Sequence, residues 1–115
     1  MERIKPSDII NEVTAVLERA NQGKGSSPCF LSAYQILDRL PSALKNDLIF
    51  ERGLGGKGTG VHYSAASLVS DAAEKVEGIE IDYLDTDGLN ITINNQKVEA
   101  GFEVCGIYKL TRTMW

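Results

Sequence analysis

The hydrophobic pattern of this chain changes period once, at Gly78. Before it, apolar residues recur every three or four positions. After it, they alternate with polar ones. Such a chain separates its helices from its strands along the sequence, which points to an α+β fold rather than alternating β–α units. Its 115 residues and 43% hydrophobic content suit one compact domain. The expected architecture is four N-terminal helices packed on a C-terminal three- to four-stranded antiparallel meander. The helical half covers about 7–77 and the sheet half about 79–112 of a single domain 1–115.

Four helices are predicted. The first runs from Asp8 to about Ala20, capped by Ser7, with Ile9, Val13, Val16 and Ala20 at helical spacing. The second begins at Ser27 and Pro28, a cap and a first-turn proline, and carries Phe30, Leu31, Tyr34, Leu37 and Leu40 inward. Pro41 stops it. The third runs to about Glu51, with Leu44, Leu48 and Ile49 inward. The fourth runs from Ala65 to Glu77, capped by Ser64 and stapled by Tyr63 and Leu68. Its Ala65, Ala66, Val69, Ala72, Ala73 and Val76 make a small-residue face, and Gly78 suits its left-handed exit.

Strands are predicted at 79–84, 88–94 and 102–110, with a short strand near Val98. Asp85 to Gly88 and Asn94-Asn95 supply the turns. One face of a single sheet, carrying Ile81, Ile91 and Val104, is expected to pack on the helices. Cys29 and Cys105 lack metal or redox spacing and read as buried free thiols.

Residues 53–60 read Gly-Leu-Gly-Gly-Lys-Gly-Thr-Gly, five glycines in eight positions, followed at once by a helix start. Bare loop amides, one lysine and a positive helix end can converge on an anion. The phosphate-loop pattern fails, because Gly58 stands where a hydroxyl residue belongs and Glu51 where the first glycine belongs. The dinucleotide fingerprint fails because a helix, not a strand, precedes the loop. The expected ligand-binding residues are Gly55, Gly56, Lys57, Gly58, Thr59, Gly60, His62 and Ser64. His62 and Ser64 are also the candidates for catalysis, although neighbours on a loop rarely aim at one another.

Within the acidic run from Asp71 to Asp87, Asp85-Thr86-Asp87-Gly88 mimics the middle of a calcium loop. Tyr83 and Asn94 occupy its two end positions and break the match, so no metal and no cofactor is expected. Net charge is −4, and residues 61–115 hold nine Asp/Glu against four Lys/Arg. That balance disfavours nucleic acid, as does a fourth helix offering Ser67, Ser70, Asp71, Glu74 and Lys75 to a groove. No apolar run is long enough for a membrane span, and a cytoplasmic location is expected. The apolar Met114-Trp115 end and an open sheet edge predict a homodimer. The functional expectation is non-enzymatic binding of a small anionic ligand at loop 53–62. The alternatives are a regulatory protein- or DNA-interaction module, or a small hydrolase or transferase using His62.

Overall fold

A computed structural model of the chain describes residues 5–22, 29–52, 65–88, 90–98 and 104–111. They form a mixed helix-and-strand structure of the α+β class. Helix α1 spans Pro6–Gln22. It starts two residues earlier than the Ser7 cap implied, with a proline in the first turn, where a missing N–H costs nothing. Its Ile9, Val13, Val16 and Leu17 are buried. Asp8 lies in the first turn and Arg19 in the last, each complementing the helix dipole.

The second helix corrects the sequence reading. Ser27 and Pro28 lie outside the described residues. Leu31–Ser32 form a short strand, β1, and helix α2 begins only at Ala33, ending at Arg39. Ser32 is its cap. Its Oγ accepts from the Gln35 backbone N–H at 3.2 Å, while the Gln35 side-chain oxygen accepts from the Ser32 N–H at 2.8 Å. This reciprocal pair satisfies two donors, and it outweighs a Ser-Pro start with no such partner three residues on. Leu40 is pushed to ψ 156° ahead of Pro41, which ends α2.

Helix α3, Ser42–Arg52, follows directly. Leu48 is buried, with Leu44 and Ile49 packed against the core. Lys45 Nζ binds the Asp38 carbonyl at 3.2 Å and lies 3.6 Å from its carboxylate, tying α3 to the end of α2. Helix α4 spans Ala65–Glu74, with Ala65, Ala66, Val69, Ala72 and Ala73 buried against α1 and α2. It stops short of Glu77, because its last turn tightens: the N–H of Lys75 and of Val76 each bond three residues back. Gly78 then turns the chain with φ 80°.

The described residues then form β2 (Ile79–Asp85), β3 (Ile91–Ile93), β4 (Gln96–Val98) and β5 (Val104–Leu110). They do not form the expected meander. One antiparallel sheet has the order β1-β5-β2, so β5 is central and one strand comes from the helical half. β3 and β4 form a separate hairpin. Its turn residues Asn94 and Asn95 both have positive φ, 52° and 65°. That is the tight-turn geometry which matches strand twist. The hairpin buries Ile91, Ile93 and Val98, packing β3 on α2, and the Asn94 N–H bonds the Asp38 carboxylate at 3.1 Å. With β3 and β4 satisfied by each other, β2 pairs with β5 instead.

The shared inward face fails in the same way. Ile91 is buried, but Ile81 and Val104 are exposed. Ile79, Ile81, Tyr83 and Gly106, Tyr108, Leu110 lie on one face of the β2–β5 pair. The helices cover only the end holding Tyr108 and Leu110. Both cysteines are free, and both are half-buried rather than buried.

Candidate functional site

Of the residues singled out in the sequence, Gly55, Gly56, Lys57, Gly58, Thr59, Gly60, His62 and Ser64 lie outside the described residues. So do Met114 and Trp115. The described part places a different group of side chains together.

Three elements meet around a cleft of about 580 Å³. Val16, Arg19 and Ala20 reach it from one stripe of α1, three and four residues apart, as the helical repeat requires. Gln35 and Arg39 reach it from α2, one turn apart. The segment Cys29, Phe30, Leu31 closes the third side. Val16 and Leu31 are buried and give the cleft an apolar floor.

Asn21 fixes this arrangement. Its Nδ2 donates to the Leu110 carbonyl at 2.9 Å, and its Oδ1 accepts from the Cys29 N–H at 3.4 Å. β1 is only two residues long, so the Leu110 carbonyl on that side of β5 has no strand partner. The Asn21 amide takes the strand's place and binds the end of α1 to both β5 and the cleft wall.

The cleft is cationic. Arg19 and Arg39 are both exposed in the last turns of their helices, and neither has a carboxylate partner among the described residues. A last-turn arginine stabilises its helix through the dipole by ~0.3–1 kcal/mol, which accounts for each residue singly. It does not require both to open on one apolar-floored cleft. The Phe30 ring also carries Lys109 Nζ 4.6 Å from its centroid, and Lys109 pairs with Glu80 at 3.6 Å. The described lining offers two guanidinium forks, one amide and one thiol, a set suited to holding an oxyanion.

A second polar cluster lies under the sheet. The Tyr108 hydroxyl hydrogen-bonds Ser70 of α4. Burial pushes its pKa up; the Ser70 bond opposes that, and Glu74, Tyr83 and Asp71 add to it. Tyr108 therefore stays protonated and acts as a latch between α4 and β5. Burial likewise raises the Cys105 thiol above its ordinary range, which suppresses its reactivity.

No family model matches the chain, and comparison with known proteins and with solved structures returns no significant match. The functional reading therefore rests on the geometry alone. Sequence inspection did not single out Arg19 or Arg39, because an exposed arginine at a helix end is ordinary. Only the packing of α1 against α2 brings the two together.

Proposed function

We propose that this protein binds a small anionic ligand with an apolar body, and that it binds without transforming it. The observation that carries this is the α1–α2 cleft, where two arginines with no carboxylate partner among the described residues stand over a floor of Val16 and Leu31. The guanidiniums take a phosphate or carboxylate group, and the floor takes a ring or short alkyl chain. The glycine loop 53–62, with Lys57, remains the sequence-derived location for the same ligand class.

A thermal-shift screen of the full chain against organic phosphates and carboxylates tests the reading, because a ligand specific to the folded state raises the apparent stability. A charge-assisted hydrogen bond is worth ~1.5–3 kcal/mol, so Arg19→Ala or Arg39→Ala should each weaken binding about 10- to 100-fold. Lys57→Ala separates the two locations. If that change alone abolishes binding, the anion reading stands and the cleft is the wrong place. If no anion shifts the melting temperature, the functional reading is wrong.

A further inference from the structure

We infer that the outer edge of β2 docks an extended basic peptide segment of another protein, which adds to the sheet as a fourth strand. The evidence lies away from the cleft and does not depend on it.

The hydrogen-bond parity of the β2–β5 pair identifies what the edge presents. Thr111 donates its N–H to the Gly78 carbonyl at 2.8 Å, so Gly78 and Thr111 are a hydrogen-bonded pair. Antiparallel pairs alternate. Glu80, Asp82 and Leu84 therefore bond to β5, while Ile79, Ile81, Tyr83 and Asp85 direct their N–H and C=O away from it. Among the described residues, the Tyr83 N–H already has an acceptor: it bonds Oδ1 of Asp82 at 2.8 Å. An exposed carboxylate stands where the carbonyl of an added strand would stand.

The side chains define the partner. On one face β2 presents Glu80 and Asp82. That face also carries Leu84, 39% exposed, and the other presents Ile81 and Tyr83, 39% and 68% exposed, with Asp85 opposite Val104 at 53%. An edge that only needed protection would bear charges without a large apolar group beside them. A strand alternating basic and apolar residues complements both faces at once: its cations meet the carboxylates, and its apolar residues extend the patch. Its carbonyl displaces the Asp82 carboxylate from the Tyr83 N–H, and the freed carboxylate pairs with an incoming lysine or arginine. Asp71 and Glu74 of α4 are also exposed and act on the neighbouring Tyr108, so the surroundings are acidic too. A second copy of the chain is a poorer occupant. Two-fold pairing of β2 with itself would bring acidic strands together, and like charges across a ladder destabilise it.

The test is fluorescence anisotropy of a labelled nine-residue peptide alternating lysine and valine, titrated with the full chain. Saturable binding is expected, weakened at least tenfold by Asp82→Lys and by raised salt. Ile81→Pro removes an outward N–H while sparing the bonds to β5, and it should abolish binding with the circular dichroism spectrum retained. A peptide with glutamate for lysine should not bind. No binding up to millimolar protein overturns the inference, as does equal binding of the two peptides or indifference to Asp82→Lys. A wild-type dimer that Ile81→Pro converts to monomer would assign the edge to a second copy and overturn it as well.

Discussion

Gly106→Ala is expected to destabilise the protein, although alanine is ordinarily the better residue in a strand. A Cβ at position 106 would lie 2.6 Å from the Tyr108 hydroxyl oxygen and 3.1 Å from the ring carbon that bears it. The Tyr108 ring folds back along its own strand over the glycine, is 2% exposed, and is held at its tip by Ser70. Alanine gains ~0.5–1 kcal/mol through reduced backbone freedom in the unfolded chain. Overpacking costs ~1–3 kcal/mol, and moving the hydroxyl off Ser70 loses ~0.5–1.5 kcal/mol more. The balance is a loss of about 2 kcal/mol, or roughly 8 °C in Tm for a chain of this size. Urea denaturation of the full chain measures it. In a Tyr108→Phe background the nearest contact is gone, so the penalty for Gly106→Ala should fall to about 1 kcal/mol, a coupling read from the double-mutant cycle. A neutral or stabilising Gly106→Ala refutes the reasoning. So does an unchanged penalty in the phenylalanine background.

Other consequences are open to the same kind of measurement. Ser32→Ala removes the acceptor for the Gln35 N–H, and thermal denaturation should show a loss of ~1–2 kcal/mol. Asn95→Gly should be neutral or slightly stabilising because φ is 65° there, whereas Asn95→Val should cost ~1–2 kcal/mol in urea denaturation. Tyr108 has a raised folded-state pKa, so its contribution is fully present below the ordinary value of about 10 and is lost as pH rises through the folded value. Urea midpoints measured up to about pH 11 should therefore fall more steeply for the wild type than for Tyr108→Phe.

The helices were legible because their signals are local. The stripe of α1, the small-residue face of α4 and the stop at Pro41 all follow from spacing and backbone sterics. The start of α2 was misread for a local reason as well. Ser27-Pro28 resembles a cap, but Ser32-Ala33-Tyr34-Gln35 contains the reciprocal capping pattern, a serine followed three residues later by glutamine. The Asn94-Asn95 turn was legible from its residue types. Strand partnership was not. A self-sufficient β3–β4 hairpin and a distant β1 decide the order β1-β5-β2, and neither leaves a mark in the alternation of β2 itself. Ile81 and Val104 show the same limit: their periodicity matches a buried face, yet the helical layer ends before reaching them. The cleft is wholly a product of packing. Arg19 and Arg39 stand twenty residues apart and look ordinary until α1 and α2 meet. The glycine loop, the most conspicuous segment of the sequence, lies outside the described residues.

The most direct test of the central claim is amide chemical-shift mapping of the full chain titrated with phenyl phosphate, which joins an oxyanion to an apolar ring. The account predicts saturable shifts centred on Arg19, Ala20, Leu31, Gln35 and Arg39, weaker with inorganic phosphate and lost in the Arg19→Ala/Arg39→Ala double variant. Shifts confined to residues 53–64, or an unchanged response in the double variant, would contradict it.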